Sequence, residues 1–409
     1  MLSKSDVPLS SLIKLLTSFN TEAGYLVPTE TGMSKSILDA HSSLRSYLAQ
    51  TGVHDYSLQE KGTESKVTEE INVITSDKIV TTKLSLYRPE TKNGDPRIWI
   101  YKLNEFANAY NLLAFIKINE RLFLFNASDK KLVKNDGIGN LTLVSDTPLA
   151  ELLQTKSNYL DEHAEELIGK LKLISNRGFV ESLRNGDTGV GMTLETLLGI
   201  TANSNRAPDY KGIEIKAKRV RGANNRTTNN VSLFSQVPNW PLSTCKNGLA
   251  ILNKCGYIDS ETNRLQLYCT VSNSPNPQSL SLFVNENDNL VECKKIISGT
   301  AEPIVVWDLG NLKTQLESKH KQTFWVKAKT KKNENNLECF HYIEVEHTQN
   351  PLTANLPSLI EIGAITMDFT LSKKATGNGT RDHGYLFRIK PSNFDLLFPP
   401  SKIIKLTTY

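Results

Sequence analysis

The sequence lacks what would place it in a membrane or an oxidising compartment. No apolar run approaches the ~20 residues of a membrane span, and the opening MLSKSDVPLS has no signal-peptide core. The five cysteines, Cys245, Cys255, Cys269, Cys293 and Cys339, are odd in number and widely spread, with no Cys-x-x-Cys pair. That argues against a disulfide framework or a structural zinc site and points to a reducing cytoplasm. Charge of one sign is also scarce. The chain carries a net +5; residues 1–150 hold 17 basic and 17 acidic residues, leaving 31 and 26 for residues 151–409. So small an excess identifies no partner by itself, although an enzyme that must release a polyanion need not be strongly basic.

What is present is an ordinary globular composition, 39% hydrophobic and 22% charged, over 409 residues, a length that suggests two domains. The chain is organised around Met192 to Lys218. Leu194, Leu197 and Leu198 recur at helical spacing, with Thr193 as the expected N-cap and Gly199 weakening the helix. Asn203-Ser204-Asn205 and Pro208 mark a loop, after which Gly212 to Lys218 alternate as a strand. Ile213, Ile215 and Ala217 fall on one side; Glu214, Lys216 and Lys218 fall on the other. With Asp209 five residues ahead of Glu214, the pattern is Asp-x4-Glu-x-Lys. Two carboxylates can share a hard cation such as Mg2+ with a phosphate, and a lysine beside them can orient water or stabilise the transition state. In isolation the same pattern describes a half-buried strand with a solvated face.

The surroundings decide between these. Gly186 to Glu195 (GDTGVGMTLE), followed by Asp209, Glu214 and Lys216, resembles the MvaI/BcnI family of restriction endonucleases, relatives of the nickase MutH among the PD-(D/E)xK nucleases. Gly379 to Ile389 (GTRDHGYLFRI) resembles the DNA-reading segment of that family. The resemblance covers roughly residues 150–409. It implies an α/β nuclease core that hydrolyses phosphodiesters in double-stranded DNA at a CC-N-GG type site, using Mg2+ and acting as a monomer. Asp209 and Glu214 would be metal ligands, Lys216 would position the water, and Glu195 would support the lysine or a second metal. Lys218, Arg219, Arg221, Arg381, Asp382, His383 and Arg388 would contact DNA, since Arg can read guanine and Asp can accept from cytosine. A strand-specific nickase of MutH type and a non-catalytic DNA-binding protein remain the alternatives.

Residues 1–147 are expected to form a separate, mostly β domain, and residues 148–409 the nuclease. Helices are expected at Leu9–Leu16 and Ser36–Leu48. Strands are expected at Ile71–Ile79, Thr82–Tyr87, Arg97–Leu103, Ala114–Ile118 and Arg121–Phe125, the last two joined by a tight turn at Asn119-Glu120. Gly24 to Pro28 with Gly32 to Lys35 resembles the opening of the EcoRII effector domain, a DNA-binding β-pseudobarrel, and a nuclease joined to it would have the layout of UbaLAI. That resemblance implies a second DNA copy bound through Arg88, Lys92 and Arg97. All of this fits a cytoplasmic enzyme of a bacterium or archaeon.

Overall fold

The computed structural model describes residues 5–136, 139–153, 160–200, 208–220, 230–285, 288–297, 299–374 and 379–407, the side chains of Ser42, Lys92 and Ile297 excepted. The chain divides into two compact units. Unit 1 comprises residues 1–156, 272–309 and 354–363; unit 2 comprises 157–271, 310–353 and 364–409.

Unit 1 is built on a seven-stranded sheet. Its order is Gly24–Leu26, Leu113–Ile118, Arg121–Asn126, Val67–Ile74, Ile79–Tyr87, Arg97–Ile100 and Leu38–Asp39. All pairings are antiparallel except that between Val67–Ile74 and Arg121–Asn126. Leu84, Leu86, Ile98, Ile100 and Phe115 form the buried face, covered by Leu44, Tyr47 and Leu48 of the helix Ser42–Gln50. The outer strands are only three and two residues long, and among the described residues each is paired on one side, so the sheet stays open. The pseudobarrel expected here is therefore not formed among these residues.

Local chemistry explains the other differences. The expected strand Ile71–Ile79 is two strands, because Thr75 Oγ1 donates to Lys78 O at 2.8 Å and turns the chain. The expected helix from Ser36 starts at Ser42, since Ser36 is left-handed (φ 53) and ends the preceding helix Glu30–Lys35. The hairpin at Asn119-Glu120 forms as read, both residues having positive φ.

In unit 2, a sheet runs Val180–Glu181, Glu338–Gln349, Gln322–Lys332, Glu214–Arg219, with Lys402–Lys405 also pairing with Glu338–Gln349. Glu214–Arg219 ends this order and runs parallel to Gln322–Lys332, Glu214 facing Thr323, Lys216 facing Trp325 and Lys218 facing Lys327. Ile213, Ile215, Phe324, Val326 and Tyr342 pack under the helices Glu162–Ser175 and Gly189–Leu197. The opposite face carries the charged side chains. A second sheet consists of Val231–Ser235, Thr380–Ile389, Ile365–Lys373, Leu265–Val271 and Tyr257–Ile258.

Two arginines expected to meet DNA brace unit 1. The Arg88 guanidinium donates to Gly94 O (2.9 Å), Gln59 O (3.1 Å) and Tyr56 O (3.3 Å). Arg97 is only 9% exposed and pairs with Asp39. Lys92's side chain lies outside the described residues. Arg88→Ala strips a donor from three carbonyls and should lower unfolding stability by about 1–3 kcal/mol in denaturant titration. An unchanged midpoint would show that those bonds carry no weight in the fold.

Candidate active site

The helix Gly189–Leu197 begins five residues earlier than its apolar spacing suggests. A Cβ at Gly189 would sit 2.3 Å from Arg184 O, so the chain can turn there only at glycine. Thr193 is consequently inside the helix and not its cap; its hydroxyl accepts from Leu183 N at 3.0 Å. Gly199 ends the helix: with φ 73, its N–H donates to Thr196 O (3.0 Å) while Ile200 N donates to Glu195 O (2.9 Å), a Schellman pair. Glu195, half-buried, therefore sits on a helix fixed at both ends.

Asp209 reaches the strand through a two-residue hairpin. Tyr210 and Ile213 exchange backbone hydrogen bonds at 2.9 and 2.7 Å, and Lys211 (φ 44) and Gly212 (φ 88) supply the left-handed turn. Lys211 Nζ is held by Glu166 Oε2 at 2.5 Å. The turn delivers Asp209 Oδ2 to the backbone N–H of Ile215, from which it accepts at 2.9 Å.

Glu214 is fully buried (0% exposed) and held between two lysines: Lys216 Nζ lies 2.5 Å from Oε1 and Lys319 Nζ 2.9 Å from Oε2. Both oxygens are ion-paired, yet neither has a hydrogen bond of good geometry. Burial raises the Glu214 pKa, against the lowering effect of Lys216, and Asp209 pushes the same way as burial. Glu195 is raised as well, by burial first and then by Asp209, with Lys216 again opposing. The two acids respond to the same charges, which places Glu195, Asp209, Glu214, Lys216 and Lys319 in one electrostatic neighbourhood.

Lys319 was not visible in the motif. It occupies the last turn of the helix Leu309–His320, and the residue beside it sets its position. His320 is fully buried, its pKa lowered to about 3 by burial, so the ring is neutral. Nε2–H donates to Leu233 O (2.7 Å), Nδ1 accepts from the Thr323 hydroxyl (2.8 Å), and the ring stacks on Trp325. This one side chain ties the helix end to both sheets of unit 2. A histidine following a lysine near a helix end was the only available signal, and it is a common one.

The remaining candidates separate. Lys218 is half-buried on the same face as Lys216. Arg219 points the other way and holds Glu338 through both carboxylate oxygens (2.7 Å each) and the carbonyls of Asp187 (2.8 Å) and Gly186 (2.9 Å), bracing the glycine-rich turn. Arg221 lies outside the described residues. Arg381, Asp382 and His383 are exposed near the tip of the Ile365–Lys373/Thr380–Ile389 hairpin, where Asp382 Oδ1 accepts from Gly384 N at 2.6 Å. Arg388 is paired with Asp368 and donates to Asn230 O at 2.7 Å.

No group of three or more His, Cys, Asp or Glu among the described residues is arranged to hold a metal ion. Asp209 and Glu214 nevertheless suit Mg2+, which takes one or two carboxylates and fills its shell with water and phosphate. The buried Glu214 oxygens, lacking well-formed hydrogen bonds, are the kind of hard donor such an ion requires.

The end strand of this sheet thus carries Glu214 and Lys216, and the turn before it brings in Asp209. The model of the MvaI/BcnI restriction endonuclease family matches residues 168–398, 231 of the 409, and the chain belongs to that family. A solved structure titled as the complex of restriction endonuclease MvaI with cognate DNA superimposes with a TM-score of 0.52 at 23% identity, over 61% of this chain and 100% of MvaI. That likeness is one of fold. MvaI in the absence of DNA gives a TM-score of 0.38 over the same shares at 23% identity. No curated protein matches the chain.

The raised Glu214 pKa has a consequence for stability. The folded state takes up a proton on Glu214 more readily than the unfolded chain, so stability is greatest below the unfolded value and falls as pH rises through the folded one. Wild type should therefore lose stability relative to Glu214→Gln as pH rises above the ordinary carboxylate range, as read by thermal unfolding. A difference independent of pH would show that burial does not raise the Glu214 pKa.

Proposed function

We propose that the chain is a Mg2+-dependent type II restriction endonuclease, hydrolysing phosphodiesters of double-stranded DNA at a short site of CC-N-GG type. The observation that carries this reading is the buried Glu214 clasped by Lys216 and Lys319, with Asp209 fixed by the adjoining backbone N–H. Asp209 and Glu214 would hold the ion, which would neutralise charge on the phosphate oxygens and acidify the attacking water. Lys216, partly exposed, would then orient that water. Lys319 would supply a second cation for charge developing on the phosphate. Glu195 would restrain Lys216. The exposed Arg381, Asp382 and His383 have the donors and acceptors to read C·G pairs from one groove. One such site per chain fits a monomer that cuts one strand and then the other.

Plasmid incubated with the protein and Mg2+ should be converted to linear fragments; nicked circles alone would favour a strand-specific nickase, and intact plasmid a non-catalytic DNA binder. Asp209→Ala should abolish cleavage while retaining specific duplex binding in a gel-shift assay. Activity kept within about tenfold, a barrier change of only ~1.4 kcal/mol, would remove Asp209 from the site. Lys319→Met should slow cleavage on the order of 100-fold, the scale of one well-placed donor. Normal turnover would make Lys319 a purely structural partner of Glu214.

A further inference from the structure

We propose that Lys329 and Lys331 carry the DNA backbone along one flank of the cut site, an inference that rests on the endonuclease reading above. The strand Gln322–Lys332 buries Phe324, Val326 and Ala328 under the helices, so Trp325, Lys327, Lys329 and Lys331 alternate onto the other face. That is the face of the site, because Lys216 lies opposite Trp325 in register. The irregularity in the pairing falls on the neighbouring strand, where Ile343 is the extra residue, and leaves this alternation intact.

The row emerges from the protein as it leaves the site. Trp325 is buried against Phe394 and Phe398, Lys327 is half-buried, and Lys329 and Lys331 are exposed. The strand Glu214–Arg219 is paired only as far as Ala328, so both exposed lysines stand beyond its end. From Trp325, level with Lys216, to Lys331 is roughly 20 Å of strand. One strand of a duplex carries a charge every ~3.4 Å of axis, so the row matches about six base pairs.

The acids along this face are held by other groups. Glu344 is shared by Lys327 (2.7 Å) and Lys405, and toward the end of the row Glu181 accepts from Asn333 Nδ2 at 3.0 Å. Glu338 lies on the opposite face, where it pairs with Arg219 and stands in register with Lys332. Rings, by contrast, support the exposed lysines. Lys331 Nζ lies 4.5 Å from the centroid of Phe179, which packs on His341, the residue facing Lys329 in register. A cation steadied by a ring and not by a carboxylate keeps its net charge for a phosphate.

The test is binding of a 30-base-pair duplex to the full chain in EDTA, read by fluorescence anisotropy across a salt series. Lys329→Gln/Lys331→Gln should weaken affinity on the order of tenfold at moderate salt and reduce the salt slope by about 2, one for each phosphate contact. Lys329→Arg/Lys331→Arg should keep the wild-type slope. Lys332→Gln, on the same strand but the opposite face, should stay within about twofold of wild type, its charge being screened from the duplex. The row is overturned if the double glutamine variant binds as wild type does, which leaves the lysines only a guard of the strand edge. It is equally overturned if Lys332→Gln loses as much, which makes the effect one of net charge. In both cases wild type still binds duplex and cuts plasmid with Mg2+, so the endonuclease reading stands. A wild type that neither binds nor cuts overturns that reading, and the row with it.

Discussion

The arrangement of unit 2 depends on one burial: the Glu214 carboxylate is removed from water and balanced by two lysines from different parts of the chain. Burying a carboxylate is costly, and its partners repay the cost only if they are held in place. Lys216 is placed by the alternation of its own strand. Lys319 is placed by His320, whose neutral ring is bonded on both sides and stacked on Trp325. The raised Glu214 pKa shows that the balance is incomplete.

Much of the site was legible in the sequence because its parts are local. Asp209, Glu214 and Lys216 lie within eight residues, and the period of two along the strand fixes which of them share a face. The turn itself was not legible, since Gly212, read as the first residue of the strand, belongs with Lys211 to the hairpin turn. Thr193 misled because cap preference is a weak local signal, overridden by the close approach that only Gly189 permits. Lys319 stands 103 residues beyond Lys216 and meets Glu214 only through tertiary packing, which no local pattern records.

The arginines teach a related lesson. Sequence shows that Arg88, Arg97, Arg219 and Arg388 are charged, but not whether the fold uses the charge. Arg88 and Arg97 brace unit 1, Arg219 holds the glycine-rich turn, and Arg388 is anchored by Asp368. Arg381, by contrast, is exposed near a hairpin tip beside Asp382 and His383. In the same way, the return of residues 272–309 and 354–363 to unit 1 comes from long-range contacts invisible to composition and periodicity.

The central claim is that Asp209 and Glu214 together hold the divalent ion. Replacing Mg2+ with Fe2+ and adding ascorbate and peroxide generates hydroxyl radicals at the metal, and mass spectrometry locates the backbone breaks they cause. The account predicts breaks beside Asp209 and Glu214, suppressed by excess Mg2+ and absent from Asp209→Ala. Breaks confined to other segments, or unchanged by that substitution, would contradict it.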